Sequence, residues 1–227
     1  MTRALVLGGG GVVGTAWMFG LLSAWRRRGI DLDRAEQIVG TSAGAIVAAV
    51  LSLGRDLDEV ADGPRTPGGD HLANLTRLIG TSTWPARRLS ITVTDAATGE
   101  RHVLDRASGW ELPAAVAAST AYPGAFPPIV MAGRTWIDGG LRSATNADLA
   151  GGADRLLLVE PLAHLVPGDL PAGPTTVHVV PDEAARRSFG HEIAQLHDPA
   201  RWSAALAAGR RQGAENADDV ATRWRAS

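Results

Sequence analysis

The chain has 227 residues, a formal net charge of −2, 45% hydrophobic residues and no cysteine. This length and composition predict a single globular domain spanning residues 1–227, with a substantial core. The near-neutral charge gives no electrostatic reason to expect a nucleic-acid partner, and the lack of cysteine excludes disulfides, thiolate nucleophiles and cysteine-ligated zinc.

The first unit of the chain is a strand, a glycine loop and a helix. The continuous apolar run over residues 3–7 predicts a buried strand. Glycines dominate residues 8–14. Apolar residues then recur at helical spacing from Thr15 to Arg28, with Gly29 as the C-cap.

The second unit has the same order, with a serine in its loop. Residues 36–39 predict a strand, residues 43–53 predict a helix, and the loop between them reads Gly40-Thr41-Ser42-Ala43-Gly44. This pattern is typical of a nucleophile elbow, in which the two glycines make room for a tight turn and the helix N-terminus favours negative charge near Ser42. The alternative is a turn in which Thr41 or Ser42 only caps the helix. Two such units predict a three-layer α/β sandwich with a mainly parallel central sheet flanked by helices.

The rest of the chain predicts mixed structure. Residues 62–70 are rich in glycine and proline and predict an exposed loop. The pattern predicts strands over residues 89–94, 101–104, 129–131, 135–137, 155–159 and 176–180. It predicts helices over residues 71–79, 114–120 and 201–225, the last broken near Gly209 or Gly213.

The glycine loop allows three interpretations. The spacing Gly9-x-Gly11-x-x-Gly14, after a strand and before a helix, matches the dinucleotide fingerprint, with Asp31 or Asp33 as the ribose-binding acid. A second interpretation is an oxyanion hole formed by successive glycine N–H groups at the helix N-terminus, in which each donor contributes about 3–4 kcal/mol to an acyl-transfer transition state. The third is that the glycines only allow close packing of helix on strand.

A nucleophilic serine needs a proton acceptor. Asp138 ends a predicted strand, and Gly139 and Gly140 leave its carboxylate unobstructed. A carboxylate bonded directly to Ser42 can take its proton; the alternative is an ordinary Asp-Gly turn. The chain order Ser42, Asp138, His164 also fits a Ser–Asp–His carboxylesterase, although His164 equally fits a solvated loop.

Three motifs together resemble the patatin-like phospholipase, or lipid acyl hydrolase, family. They are residues 9–14, 40–44 and 138–140, and the segment 117–128 is also similar to the family's segment ahead of the aspartate. The resemblance covers roughly residues 4–159. It implies a Ser–Asp dyad with Ser42 as nucleophile, Asp138 as base and the amides of residues 9–11 as oxyanion hole. It also implies hydrolysis of ester-linked acyl chains of phospholipids or other glycerolipids, without metal or cofactor.

Two features differ from the family's pattern. Val13 stands at a position where the family's glycine motif often carries Arg or Lys. The segment over about residues 54–85, between the elbow helix and the strand from Leu89, is short, whereas in relatives it commonly carries helices over the lipid site. We interpret it as a shortened cover segment.

The expected partner is a lipid or small ester substrate. The N-terminal apolar run is too short for a secretory signal, and no run approaches the roughly 18 apolar residues of a membrane span. We therefore expect a cytoplasmic protein with at most peripheral membrane contact. The six histidines show no close metal-ligand pairing, so no metal is expected. A non-catalytic nucleotide- or lipid-binding module using the Gly9–Gly14 loop is the alternative from a different class.

Overall fold

The structure is a computed structural model that describes residues 1–62, 70–166, 168 and 170–225. These residues form one sheet. Its strands are β1 Arg3–Leu7, β2 Gln37–Thr41, β3 Arg88–Asp95, β4 Arg101–Leu104, β5 Ile129–Met131, β6 Arg134–Asp138, β7 Arg155–Val159 and β8 Thr175–Val179.

The centre of this sheet is parallel. The strand order is β5-β6-β3-β2-β1-β7-β8, and β4 pairs with β3. Strand β1 lies between β2 and β7, so that Leu7 is in register with Gly40 on one side and Val159 on the other. Strands β3 and β8 continue in the same direction, whereas β4, β5 and β6 pair antiparallel. The carboxyl ends of β1 and β2 therefore meet at one edge, where the glycine loop and Ser42 follow them.

The helices largely match the sequence pattern. Their bounds are α1 Gly11–Arg27, α2 Ala43–Ser52, α3 Leu57–Asp62, α4 His71–Ile79, α5 Leu112–Ser119, α6 Glu183–Phe189 and α7 Trp202–Arg225. The predicted start of the first helix at Thr15 is wrong, because α1 begins at Gly11 and the glycine loop runs directly into it. The predicted mainly parallel sheet flanked by helices is confirmed.

Alternate residues of the central strands β1, β2 and β7 face two different cores. Leu5 and Leu7 belong to a large apolar core to which all seven α-helices contribute. Ala4 and Val6 face the other way, into a small cluster that includes residues of the short 3₁₀ turn Ala147–Ala150. The sheet is thus covered thickly on one face and thinly on the other.

Helices α1 and α7 cross at very short range. A Cβ at Gly209 would collide with the carbonyl oxygen of Trp17, and one at Gly20 would collide with that of Leu206. The Trp17 indole also donates to Gln212 Oε1 at 3.0 Å. The predicted helix break near Gly209 is therefore wrong: the glycine permits close helix packing, and α7 is continuous.

The predicted cover segment is only partly described. On either side of residues 63–69 it forms α3 and α4, whereas the predicted loop over residues 62–70 falls almost wholly outside the described residues. Among the residues that the structure describes, no helix combines the length and hydropathy needed to cross a bilayer.

Candidate active site

Ser42 occupies a sharp turn between β2 and α2. Strand β2 ends at Thr41 and α2 begins at Ala43, so the whole change of direction falls on one residue. The backbone of Ser42 has φ 53° and ψ −119°, a conformation that residues with a Cβ rarely adopt and that costs of order 1–3 kcal/mol. The strand–serine–helix geometry of a nucleophile elbow is therefore present.

The two glycines of the motif are required by close backbone contacts. A Cβ at Gly40 would stand 2.7 Å from the Cα of Ala45, and one at Gly44 would collide with the carbonyl oxygen of Leu7. The N–H of Gly44 donates to the carbonyl oxygen of Gly8 at 3.1 Å. Helix α2 therefore starts directly against the end of β1, which brings the elbow onto the glycine loop.

The side chains of Ser42 and Asp138 are hydrogen-bonded to each other. Ser42 Oγ donates to Asp138 Oδ2 at 2.6 Å, and the N–H of Gly140 donates to Asp138 Oδ1 at 2.7 Å. Asp138 is the last residue of β6 and is 2% exposed. Burial raises the pKa of Asp138 to about 6, while its bonds with Ser42 and Gly140 lower that pKa by less.

A buried serine that the sequence did not single out holds the elbow backbone. Ser119 Oγ accepts a hydrogen bond from the N–H of Ser42 at 2.9 Å. Ser119 ends α5 and is fully buried. It lies within the family-like segment 117–128, but a lone serine at a helix end gives no sequence signal of a partner 77 residues earlier.

Asn146 is the centre of a second polar network beneath the elbow. Its side-chain amide donates to Thr41 Oγ1 at 3.1 Å and to Thr92 Oγ1 at 3.2 Å, and these two hydroxyls are 2.9 Å apart. Asn146 is fully buried and has a left-handed backbone, φ 53°, which asparagine tolerates better than most residues. The sequence analysis missed this residue.

The glycine loop packs against the serine. A Cβ at Gly9 would stand 3.5 Å from Ser42 Cβ. The N–H of Gly9, however, donates to the carbonyl oxygen of Ala144 at 2.8 Å. The expectation that Gly9 is an oxyanion-hole donor is therefore corrected, because its N–H hydrogen is already bonded within the fold. The N–H groups of Gly10 and Gly11 form no hydrogen bond within the described residues.

The remaining motif glycines are packing positions. A Cβ at Gly14 would stand 3.2 Å from the ring of Pro161, and one at Gly139 would collide with the carbonyl oxygen of Thr92. Val13, which replaces the family's frequent basic residue, is fully buried in the core.

His164 is not part of a Ser–Asp–His arrangement. Its ring lies edge-on to Phe189, with centroids 5.3 Å apart, and it lines neither cavity that borders Ser42. The carboxylate of Asp138 bonds directly to Ser42, with no imidazole between them. The structure therefore does not assemble the triad that chain order allowed.

The acids of the dinucleotide interpretation lie at the wrong end of the sheet. Asp31 and Asp33 precede β2, whereas the glycine loop follows the carboxyl end of the parallel strand β1. Asp31 caps a 3₁₀ turn, and Asp33 pairs with Arg87 at 3.0 Å. Neither acid therefore lies at the carboxyl end of the second strand, where this interpretation requires a ribose-binding acid.

Within the described ranges, no three acidic or histidine side chains cluster as metal ligands.

Two cavities border Ser42. The larger, about 200 Å³, is lined by Asp138 and the glycine loop, and the exposed side chains of Leu141, Val166 and Ile193 also line it. The smaller, about 90 Å³, lies between the N-terminal turns of α1 and α2, helix α4 and the start of α7. Both lining sets contain Gly11, Ser42 and His197.

These features define an α/β protein with a serine on a nucleophile elbow and a buried carboxylate bonded to it. The model of the family described as patatin-like phospholipase matches residues 5–65 and 64–150. The chain belongs to the patatin-like phospholipase family, and this membership supports a lipid acyl hydrolase activity. No curated protein matches the chain by sequence.

Solved structures share the fold. VipD from Legionella pneumophila superposes with a TM-score of 0.57 at 12% identity, over 96% of this chain and 67% of VipD. The type III effector protein ExoU gives a TM-score of 0.50 at 15% identity, over 97% of this chain and 53% of ExoU. This chain thus spans about half the length of ExoU, and at these identities the likeness concerns the fold.

Proposed function

We propose that the protein is a serine acyl hydrolase that cleaves ester-linked acyl chains of phospholipids or related esters through a Ser42–Asp138 dyad. The observation that carries the proposal is the 2.6 Å hydrogen bond from Ser42 Oγ to the buried carboxylate of Asp138. Family membership supports the class of substrate. No metal or cofactor takes part in the proposed reaction.

The first half-reaction acylates the serine. Asp138 takes the proton of Ser42 Oγ while that oxygen attacks the ester carbonyl carbon, and the carbonyl oxygen becomes an oxyanion. The free N–H groups of Gly10 and Gly11, at the N-terminal end of the 17-residue helix α1, are the proposed donors to that oxyanion. The carbon–oxygen ester bond then breaks, and Asp138 gives its proton to the leaving alcohol.

The second half-reaction frees the enzyme. Asp138 takes a proton from water, the resulting hydroxide attacks the acyl-Ser42 carbonyl, and the carboxylic acid leaves as the proton returns to Ser42 Oγ. A base works best when its pKa lies near the working pH, because it is then both largely ionised and basic enough. A pKa of about 6 for Asp138 meets that condition near neutrality.

Peripheral contact with a lipid surface is part of the proposal. Leu141, Val166 and Ile193 are 45%, 47% and 46% exposed and all line the larger cavity beside Ser42. Exposed apolar side chains gathered in one place are typical of an interaction site. Their position would let a lipid ester approach Ser42 from an aggregate.

The test is covalent labelling by a fluorophosphonate probe. Wild-type protein should label, and Ser42→Ala should not. Asp138→Asn should abolish turnover of p-nitrophenyl esters, whereas His164→Ala should retain it. Folded wild type that does not label but binds lipid vesicles would instead favour the non-catalytic lipid-binding alternative.

A further inference from the structure

The two cavities at Ser42 match the two arms of an ester. Attack by Ser42 places the ester carbonyl carbon at Oγ, and from that carbon one arm is the acyl chain and the other the alcohol. The two cavities lie on either side of Ser42 and share Gly11, Ser42 and His197 as lining residues. Each arm therefore has one cavity available to it.

Proton return decides which arm occupies which cavity. Asp138 takes the Ser42 proton and must give it to the leaving alcohol oxygen, so this oxygen has to lie beside Asp138. Asp138 lines the larger cavity and is not among the residues that line the smaller one. We propose that the smaller cavity is the acyl subsite, that it accepts short acyl chains, and that the leaving alcohol occupies the larger cavity. This assignment rests on the proposed function.

The walls of the smaller cavity are chemically suited to an acyl chain. Its apolar side chains are Val12, Ile46, Leu78, Phe126 and Trp202.

Two polar groups of that wall are hydrogen-bonded within the fold. Thr15 Oγ1 donates to the carbonyl oxygen of Gly11 at 2.8 Å, and Trp202 Nε1 donates to that of Ala61 at 3.2 Å. An alkyl chain beside these two groups would therefore leave neither of them unpaired, and a buried unpaired donor would cost about 1–3 kcal/mol. The buried Nδ1 of His197, at the edge shared with the larger cavity, forms no hydrogen bond within the described residues.

His71 closes one side of the same cavity without a charge. Its Nε2 lies 2.7 Å from Thr120 Oγ1, and its ring stacks on Phe126 with centroids 3.8 Å apart. Burial lowers the pKa of His71 to about 4, so the ring is neutral near pH 7. A neutral stacked ring leaves the wall compatible with an alkyl chain.

The volume of the smaller cavity indicates the length of acyl chain that it can bury. Its volume is about 90 Å³, and one water occupies about 30 Å³ in the liquid. With a methylene group of similar size, roughly three carbons beyond the carbonyl fill the space. The predicted preferred acyl group is therefore butyryl or close to it, which narrows the proposed substrates to esters of short acyl chains.

A series of p-nitrophenyl esters from acetate to decanoate tests this assignment, because the alcohol arm stays constant. Wild-type kcat/KM should peak near butyrate and fall about tenfold or more by octanoate, since one misfitting methylene changes the rate about 10–200-fold. Ile46→Phe, which fills the cavity, should lower the butyrate-to-acetate ratio about tenfold. Leu78→Ala, which enlarges it, should move the peak to longer chains.

Ile193→Ala is the matched control, because it changes an apolar residue that lines only the larger cavity. It should alter the rates for all esters and leave the ratio between chain lengths unchanged. The ratio is internal to each variant, so a partly unfolded preparation does not distort it. A flat or octanoate-preferring wild-type profile, or ratios that respond to Ile193→Ala and not to Ile46→Phe, would overturn the assignment. If the fluorophosphonate probe labels Ser42 while these ratios contradict the subsite assignment, only the acyl subsite is wrong. If the probe does not label Ser42, the proposed function fails as well.

Discussion

The side-chain amide of Asn146 donates a hydrogen bond to the hydroxyl of Thr41 at 3.1 Å, directly before Ser42 in the chain. The same nitrogen lies 3.4 Å from the carbonyl oxygen of Gly139, directly after Asp138. One fully buried side chain thus contacts the residue before Ser42, through its hydroxyl, and the residue after Asp138, through its backbone carbonyl. We therefore propose Asn146 as a positioning residue for the proposed Ser42–Asp138 dyad.

Asn146→Ala should lower both stability and turnover. It removes the amide that donates to the buried hydroxyls of Thr41 and Thr92, which then keep only their bond with each other and the bond of Thr41 to the carbonyl oxygen of Thr145; the loss should cost about 1–3 kcal/mol. A displacement of about 1 Å between reacting groups can cost about 100-fold in rate, so we expect kcat to fall more than KM rises. Urea denaturation and ester kinetics measure the two effects. Thr41→Val should act in the same direction and Thr41→Ser should be near wild type; equal effects of both would contradict the network's role.

The local parts of the site could be predicted from sequence. The elbow depends on a strand, two glycines and a helix that are contiguous in the chain, so Gly40–Gly44 carries its own signal. The parallel order of β1 and β2 follows from two consecutive strand–loop–helix units. That order alone places the glycine loop beside Ser42.

The long-range polar partners could not be predicted. Ser119, Ala144 and Asn146 each act through one hydrogen bond, or a few, to residues distant in the chain. No periodic pattern marks such contacts. This is why Gly9 was expected to point its N–H at an oxyanion, when the carbonyl oxygen of Ala144 accepts it.

Gly209→Ala tests why glycine stands inside α7. If Gly209 mattered only through the low helix propensity of glycine, alanine would stabilise the protein by about 0.5–1 kcal/mol. Because a Cβ there would collide with the carbonyl oxygen of Trp17, we expect destabilisation by about 1–3 kcal/mol or more. The sign of the change in unfolding free energy decides between the two. As control, the exposed Ala207→Gly on the same helix should cost about 0.5–1 kcal/mol through helix propensity alone.

Asp138→Asn should change how stability depends on pH. Burial raises the pKa of Asp138 from 3.8 to about 6, so the folded state binds this proton more tightly than the unfolded state does. Its stabilising contribution is complete below pH 3.8 and is lost as pH rises through about 6. Since asparagine does not titrate, the variant should gain about 1 kcal/mol relative to wild type between pH 5 and pH 8. Denaturant titrations at both pH values measure this gain; a relative loss would contradict the raised pKa.

Ester hydrolysis should rise with pH through about 6, because Asp138 accepts a proton only when it is ionised. Below that midpoint kcat/KM should fall about tenfold per pH unit. The rate of Ser42 labelling by a fluorophosphonate should follow the same curve, since it needs the same base. His197 also lines both cavities, and burial lowers its pKa from 6.5, so its titration is a second source of an acid-side midpoint. His197→Gln separates the two groups: if Asp138 is the base, the midpoint survives this substitution, and its disappearance would assign the titration to the histidine.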